Sequence, residues 1–171
     1  PTINEVDLSN WKVTIGGARL PKGLARAAKK IGIEIHAGYG MSETCPVVAL
    51  AHVPEDHLDL PLEDQVEIRC KTGRPIPLVG MKLVDDQMHE IPADGESTGE
   101  IVLRAPWLTQ GYLKDHHNSE QLWRGGYLHT GDVANCDEAG YYKITDRAKD
   151  VIKTGGEWVS SIDLENAAMG H

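Results

Sequence analysis

Four short segments of this chain place glycines or turn residues beside hydroxyl, acidic and basic side chains. They are residues 38–44, Thr130-Gly131-Asp132, residues 146–150 and Gly155-Gly156-Glu157. In the first segment, two glycines let a ligand approach the backbone, Ser42 offers a hydroxyl to a phosphate, and Glu43 offers the hard oxygen that Mg²⁺ prefers. Taken singly, each segment is explained equally well or better as a tight turn or a solvated run of charges.

Three side chains from different segments suit the parts of a nucleotide. Tyr39 presents a flat face on which a base can stack. Asp132 follows a glycine and can accept two hydrogen bonds from a ribose diol. Arg147 carries planar donors that can bridge ribose oxygens or a phosphate. Their combination predicts a nucleotide site assembled from distant parts of the chain.

A strand–helix–strand unit should position the first segment. Residues 11–15 alternate and contain Val and Ile, which predicts a strand. Pro21 suits the first turn of a helix, the apolar spacing after it predicts that helix, and residues 33–36 predict a second strand. Such a unit is typical of a mostly parallel sheet, in which ligands gather at the carboxyl ends of the strands. We therefore predict that residues 38–44 form a loop at such an end.

The middle of the chain carries a different pattern. Short strands are predicted at residues 82–84, 100–104 and 141–145, with turn residues between them. This pattern predicts a small antiparallel β-barrel-like subdomain. A short helix is predicted to begin at Ser119 as its N-cap, and Gly155-Gly156 predicts a two-residue hairpin turn between two strands.

Charge and composition exclude two classes of partner. The net charge is −9 and Lys29-Lys30 is the one basic cluster that stands out, so nucleic acid is excluded as a primary partner. No apolar run approaches the roughly 18–20 residues of a transmembrane segment. The three cysteines are odd in number and widely spaced, which predicts reduced thiols and a cytoplasmic protein. They are Cys45, Cys70 and Cys136. Four histidines lack metal-ligand spacing and are interpreted as structural or surface groups: His36, His116, His117 and His129.

In combination, these segments resemble the adenylate-forming superfamily of acyl-CoA synthetases, luciferases and peptide-synthetase adenylation domains. The resemblance covers nearly the whole chain, and the full series of motifs is highly specific. Ser42 departs from the Tyr-Gly-Met-Thr-Glu signature of the family, which usually has Thr at that place. The matching segments are Ile15–Ala18, Tyr39–Glu43, Gly73–Pro75, Gly99–Ile101, Gly111-Tyr112 with Trp123, Leu128–Asp132, Asp146–Lys153 and Gly155–Glu157.

The resemblance implies a role for each matching residue. Tyr39 would stack on adenine, Ser42 would contact the α-phosphate, and Glu43 would bind Mg²⁺. Asp132 would bind the ribose hydroxyls with support from Arg147. The full implied AMP-binding set is Gly17, Ala18, Tyr39, Gly40, Ser42, Asp132, Ile144 and Arg147. The implied catalytic set is Ser42, Glu43 and Lys149, with Lys149 as the hinge of a mobile C-terminal domain. The residues that would approach the pantetheine arm of CoA are Gly155, Gly156 and Glu157.

In that family a carboxylate reacts with ATP to give an acyl-adenylate and pyrophosphate. The CoA thiolate then attacks the acyl-adenylate and displaces AMP. The implied cofactors and substrates are ATP/AMP, Mg²⁺, CoA and a carboxylic acid. Residues 156–165 resemble the fatty-acyl-CoA ligase branch, so a medium- or long-chain fatty acid is the expected acid. The alternatives are an aryl- or short-chain-acid ligase, a carrier-loading adenylation domain and a non-catalytic nucleotide-binding module. Glu43, Asp132 and Arg147 are all present, which argues against the last of these.

The resemblance also predicts the fold class and the domain organisation. We expect an α/β plus β fold, with residues 1–62 as the end of a large N-terminal α/β subdomain and residues 63–148 as the β-rich subdomain. Residues 149–171 would form the hinge and the start of an α+β C-terminal domain. The phosphate loop of the family and its C-terminal catalytic Lys are not in this sequence, so we expect the 171-residue chain alone to lack adenylation activity. Sheet edges that further parts of the protein normally cover predict pairing into a homodimer.

Overall fold

The computed structural model describes residues 7–147 and the backbone of two short strands, residues 152–154 and 157–159. The chain divides into two compact units, residues 1–77 and 78–171. Each unit has its own four-stranded sheet. The division into three parts that the sequence predicts stays a prediction.

The first unit is a four-stranded sheet with two helices. In chain order it contains β1 (Lys12–Ile15), α1 (Lys22–Lys30), β2 (Glu34–Gly40), β3 (Val47–Leu50), α2 (Leu62–Arg69) and β4 (Arg74–Pro75), with 3₁₀ turns at Ser42–Thr44 and Glu55–His57. The order in the sheet is β1-β2-β3-β4, with β1 and β2 parallel and the other two pairs antiparallel. The predicted strand–helix–strand unit is therefore confirmed, but the mostly parallel sheet is wrong. A turn as short as the one after β2 permits only an antiparallel return, because a parallel one needs a long crossover.

The helices of the first unit cover one face of its sheet with small residues. Ala25 and Ala28 of α1 are buried against Ile35 and Ala37 of β2, and Val66 of α2 belongs to the same apolar cluster. Alanine side chains let a helix approach a sheet closely while they remove apolar surface from water. The close packing fixes the strand that continues into the first predicted binding segment.

The Arg69 side chain is fully buried at the end of α2. Its Nη1 donates a hydrogen bond to the Ile35 carbonyl at 3.1 Å and forms an ion pair with Glu34. Burial by itself would raise the pKa of Glu34, but Arg69 and then Lys29 lower that pKa below its usual value. The buried guanidinium thereby ties α2 to β2.

Strand β2 continues through Gly40, so the predicted loop at residues 38–44 is wrong in its first half. Gly38 pairs with Leu50 of β3 inside the sheet. At Gly40 an added Cβ would lie 1.5 Å from the Pro46 carbonyl oxygen, so a side chain cannot be accommodated there. These glycines mark close approaches of one backbone segment to another within a sheet rather than a flexible loop.

The second unit is built on an antiparallel meander. In chain order it contains β5 (Gly80–Val84), β6 (Gly99–Arg104), α3 (His116–Leu122), β7 (Leu128–Cys136) and β8 (Tyr142–Arg147), with a 3₁₀ turn at Arg124–Gly126. The order in the sheet is β5-β6-β7-β8, and each neighbouring pair is antiparallel. The predicted α/β plus β class is confirmed. Across residues 7–147 the β-rich part is an open sheet and is not closed into a barrel.

Helix α3 begins earlier than the sequence predicts. Its N-cap is Asp115, whose carboxylate accepts a hydrogen bond from the backbone N–H of Asn118 at 3.1 Å. Ser119 lies inside the helix and accepts a hydrogen bond from the Tyr112 backbone N–H at 2.8 Å. The hydroxyl that looked like a cap instead holds the loop before the helix, and the carboxylate one turn earlier takes the capping role.

Four helices or strands have no counterpart in the sequence prediction: β3, β4, β7 and α2. In β7 the left-handed Gly131 and a register shift between Val133 and Ala134 interrupt the alternation on which strand prediction depends. The predicted pair of strands on either side of residues 155–156 is confirmed, while the connection between them lies outside the described residues. The two strands, β9 (Ile152–Thr154) and β10 (Glu157–Val159), pair antiparallel.

We predict opposite effects of two glycine-to-alanine changes in the first unit. Gly73 is buried with φ +111°, and a Cβ there would lie 2.2 Å from the Leu50 carbonyl carbon. Gly73→Ala should lower the free energy of unfolding by about 2–4 kcal/mol through backbone strain and steric overlap. Gly23 lies in α1 with open space beside it, so Gly23→Ala should raise the free energy by up to about 1 kcal/mol. Urea unfolding with equal midpoints for the two variants would contradict this.

Candidate nucleotide-binding site

The carboxyl ends of β1 and β2 meet at one edge of the first sheet. The two strands are parallel, and their last paired residues are Ile15 and Ala37. Beyond β1, an added Cβ on Gly16 would lie 3.4 Å from the Gly38 carbonyl oxygen, so the two backbones run close together. The fold thus brings the predicted segments 15–18 and 39–43 to the same edge, where ligands of α/β sheets bind.

Gly17 and Ala18 form an exposed segment just after β1. Gly17 has φ +74°, a conformation that favours glycine, and no atom of the described residues lies within 4 Å of where its Cβ would be. Ala18 is also exposed. The backbone of this predicted adenine-bordering segment is therefore open on one side.

Thr44 fixes the turn that follows β2. Its side chain is fully buried, and its hydroxyl accepts a hydrogen bond from the Met41 backbone N–H at 2.9 Å. The same hydroxyl lies within donating distance of the carbonyls of Met41 and Pro46. The 3₁₀ turn that results leaves Ser42 exposed and Glu43 half-buried. The two groups predicted to bind phosphate and Mg²⁺ are thus displayed on a braced backbone.

Tyr39 occupies a less open position than its predicted neighbours. It lies in β2 with 9% of its surface exposed and pairs with Ala49 of β3. Gly40 follows it in the strand and packs against the backbone of Pro46. Stacking of adenine on Tyr39 stays a prediction.

Asp132 and Arg147 face each other across β7 and β8. They are direct register partners, and the distance from Asp132 Oδ1 to Arg147 Nε is 3.4 Å. The carboxylate is largely buried, whereas 72% of the arginine side chain is exposed. The adjacent Asp146 is buried and accepts a hydrogen bond from the Arg147 backbone N–H at 2.7 Å. An ion pair so exposed contributes little to stability, but it keeps guanidinium donors accessible beside a fixed carboxylate.

The backbone before Asp132 is held by strand β6. Thr130 Oγ1 donates to the Ile101 carbonyl at 2.8 Å and accepts the Asp132 backbone N–H at 3.1 Å. Gly131 N–H donates to Glu100 Oε1 at 3.0 Å. Three hydrogen bonds therefore fix the part of β7 that presents the predicted ribose-binding carboxylate.

The family of the chain follows from comparison with known proteins. Residues 2–113 match the profile described as AMP-binding enzyme. This chain belongs to the AMP-binding enzyme family. Its relatives include the long-chain fatty acid–CoA ligase of Thermus thermophilus, 42% identical over 161 residues. They also include the 3-methylmercaptopropionyl-CoA ligase of Ruegeria lacuscaerulensis, 41% identical over 164 residues. Each alignment covers 94% of this chain, which spans about 30% of the length of these relatives.

The fold of this chain is also that of solved structures. The amide bond synthetase McbA of Marinactinospora thermotolerans superposes with a TM-score of 0.80 at 30% identity. That comparison covers 100% of this chain and 34% of McbA. The similarity in sequence and the similarity in structure therefore both extend beyond the residues that match the family profile.

The remaining predicted site residues are placed only in part. Ile144 is half-buried in β8 and pairs with Ala134 of β7. The backbone of Glu157 pairs with Thr154 in the β9–β10 hairpin. Three predicted residues lie outside the described residues: Lys149, Gly155 and Gly156.

Sequence reasoning missed the residues that support the site from behind. Glu100 lies in the matching segment Gly99–Ile101 but had no assigned role, and His129 was interpreted as structural or surface. Thr44 lies within the same short segment as Ser42, and spacing alone does not tell which of the two hydroxyls is buried. Each supporting contact joins residues far apart in sequence or depends on a turn geometry.

Within residues 7–147, no three His, Cys, Asp or Glu side chains are grouped so that they could hold a metal ion. All three cysteines are free thiols. The helices of this part of the chain are all too short or too polar to cross a membrane.

We predict that the Thr44 hydroxyl, and not that of Ser42, stabilises the turn after β2. Thr44→Val keeps the shape of the side chain but leaves the Met41 N–H without its buried acceptor, which should cost about 1–3 kcal/mol of unfolding free energy. Ser42→Ala removes an exposed hydroxyl and should change it by less than about 0.5 kcal/mol. Thr44→Ser, which retains the hydroxyl, should lie between the two. Urea unfolding measures all three, and equal midpoints for Thr44→Val and Ser42→Ala would refute the assignment.

Proposed function

We propose that the protein containing this chain is an AMP-forming acid–CoA ligase, and that this chain supplies its ribose, α-phosphate and magnesium contacts. The observation that carries the proposal is the Asp132–Arg147 pair. Two residues singled out by the motif series, 15 positions apart, are register partners in a chain that belongs to the AMP-binding family. Such a pair supplies both acceptors and donors for one polar ligand.

The ribose is the part of the nucleotide for which this chain offers the fullest support. The two carboxylate oxygens of Asp132 can accept hydrogen bonds from two vicinal hydroxyls. Apart from its two chain neighbours, no atom of the described residues lies within 4 Å of where a Cβ on Gly131 would be, so the residue before Asp132 borders open space. Arg147 Nε lies near one Asp132 oxygen, and its remaining donors are exposed. We assign Ile144 and Tyr39 to the adenosine as further members of the proposed set.

The phosphate and metal contacts are assigned to the turn after β2. Ser42 is exposed and Glu43 half-buried, so a hydroxyl and one carboxylate stand together on the braced turn. Mg²⁺ is usually held by one or two carboxylates together with substrate phosphates and water, and Glu43 with its exposed surroundings fits that need. When bound, Mg²⁺ neutralises phosphate charge. Glu43 would orient the metal–nucleotide complex, and Ser42 would hold the α-phosphate.

Activation of the acid follows from positioning and charge. Attack of the carboxylate on the α-phosphorus expels pyrophosphate and makes an acyl-adenylate, whose AMP is a good leaving group. The CoA thiolate then attacks the acyl carbon and releases AMP. This chain contributes by holding the ribose and α-phosphate still during both steps. Lys149 as a hinge, with Gly155, Gly156 and Glu157 near the pantetheine arm, completes the proposal on the basis of the motif resemblance.

A medium- or long-chain fatty acid is the acid that we propose. The T. thermophilus relative is named for long-chain fatty acids, and it is 42% identical to this chain. The Ruegeria relative is named for 3-methylmercaptopropionate at 41% identity, which favours a short-chain acid as the second candidate. A cytoplasmic location and a homodimer stay predictions of the sequence.

Asp132→Asn should weaken AMP binding at least about tenfold in the full-length protein, because the neutral amide replaces one acceptor oxygen with a donor. The discriminating ligand is 2′,3′-dideoxy-AMP. The unaltered protein should prefer AMP over this analogue, and Asp132→Asn should lose most of that preference. Asp86→Asn, an exposed aspartate in the β5–β6 connection, is the matched control and should behave like the unaltered protein. Isothermal titration calorimetry in which the dideoxy analogue binds as tightly as AMP would overturn the ribose assignment.

The proposed acid predicts a specific order of activity. Pyrophosphate release by the full-length protein, measured with CoA across acids from three to sixteen carbons and with benzoate, should be fastest with acids of about eight carbons or more. A maximum with short or aromatic acids would support the second candidate instead. If none of the acids supports pyrophosphate release while AMP still binds normally, the result would favour a non-catalytic nucleotide-binding module.

A further inference from the structure

A buried histidine clamp joins strands β6 and β7 behind the candidate ribose site. The ring of His129 has a partner on each nitrogen: Nδ1 lies 2.9 Å from Glu100 Oε2, and Nε2 lies 3.0 Å from the Arg124 carbonyl oxygen. The His129 side chain is only 9% exposed. The second oxygen of Glu100 accepts the Gly131 N–H at 3.0 Å. One carboxylate therefore holds both a histidine ring and a backbone amide of the same turn.

The two partners determine the protonation of the ring. A backbone carbonyl can only accept, so Nε2 of His129 must carry a proton. Burial by itself would raise the pKa of Glu100, but the His129 and Gly131 hydrogen bonds outweigh it and lower that pKa below the ordinary value. An ionised carboxylate also only accepts, so both ring bonds can be made together only when each ring nitrogen carries a proton.

The clamp is anchored one residue away from the proposed ribose carboxylate. His129 and Gly131 are both held by Glu100, and Thr130 between them donates to the Ile101 carbonyl. All three anchors lie on β6, so the turn leading into Asp132 is fixed to the neighbouring strand. Gly131 adopts φ +70°, and the Glu100 bond holds its N–H in that conformation.

We propose that Glu100 and the imidazolium of His129 are positioning residues for Asp132. Together they preorganise the ribose-binding carboxylate, so nucleoside affinity depends on a proton on a ring that does not touch the nucleoside. This inference rests on the proposed role of Asp132. The charged groups that face the clamp are Glu100 on β6 and Arg124 on the 3₁₀ turn, whose positive charge also lowers the pKa of Glu100. The next charged residue along β7 is Asp132, which forms an ion pair with Arg147 of β8.

The probe is adenosine, because it has the ribose diol but no phosphate that titrates near neutral pH. In the full-length protein, ¹⁵N spectra of histidine rings should show both His129 nitrogens protonated at pH 6. As the pH is raised, one of the two ring bonds must break, and adenosine affinity should fall in step with the loss of the second His129 proton. In His129→Gln, adenosine affinity at pH 6 should be lower than in the unaltered protein. It should also stay constant over the pH range in which His129 loses its second proton.

Glu100→Gln tests the carboxylate directly. The two bonds go to different oxygens of Glu100, and the glutamine amide replaces one of these acceptors with a donor. At pH 6, with Nδ1 of His129 protonated, one of the two bonds is therefore lost and adenosine should bind roughly tenfold more weakly. Glu96→Gln, the same change at an exposed position in the β5–β6 connection, should bind normally. If Glu100→Gln does not fold, the ring spectra and the pH profile of the unaltered protein still test the proposal.

Three results would overturn the inference while the proposed function stands. They are a neutral His129 ring at pH 6, an adenosine affinity that stays constant through the His129 titration, and normal binding by a folded Glu100→Gln variant. Failure of the unaltered protein to bind adenosine or AMP at any pH would instead refute the proposed nucleotide site, and the inference with it.

Discussion

A threonine hydroxyl that binds backbone groups holds each candidate binding turn of this chain. In the first unit the Thr44 hydroxyl accepts the N–H of Met41 and lies against two carbonyls of the same turn. In the second unit the Thr130 hydroxyl donates to Ile101 and accepts the N–H of Asp132. A hydroxyl can donate and accept at once, and so it satisfies tight turns whose backbone groups have left the regular sheet ladder.

In both units, a buried residue that fixes the backbone lies next to an exposed residue of the candidate site. Thr44 is buried, while Ser42 in the same turn is exposed. Asp146 is buried and accepts the backbone N–H of Arg147, whose own side chain is 72% exposed. Alternation along a strand and a single turn of 3₁₀ helix both send neighbouring side chains in different directions. Chemistry-bearing groups therefore stand next to the groups that hold them.

The two units reach their sites by different backbone geometry. In the first unit a parallel pair of strands brings two turns to one sheet edge, with small helix residues packed behind it. In the second unit, antiparallel register places Asp132 opposite Arg147. Parallel pairing aligns strand ends, whereas antiparallel pairing aligns residues across a ladder. Both make neighbours of residues that are distant in sequence.

Sequence reasoning identified the types of group well because chemistry is local. Glycines, hydroxyls and carboxylates in short segments gave the nucleotide hypothesis, and the order of the motifs gave the superfamily, which the family match confirms. The same reasoning placed a loop at Gly38–Gly40, where a strand continues, and missed β7 because Gly131 interrupts its alternation. It also chose Ser119 as a cap when Asp115 takes that role.

The sequence by itself determined the family, the α/β plus β class and the residue types available to the candidate site. These follow from local propensity and from the spacing of motifs along one chain. Only the tertiary structure decided that Glu100 holds His129 and Gly131, that Arg147 meets Asp132, and which hydroxyl of 42–44 is buried. Those facts depend on strand register and on desolvation, and both arise from contacts between segments that the linear order does not specify.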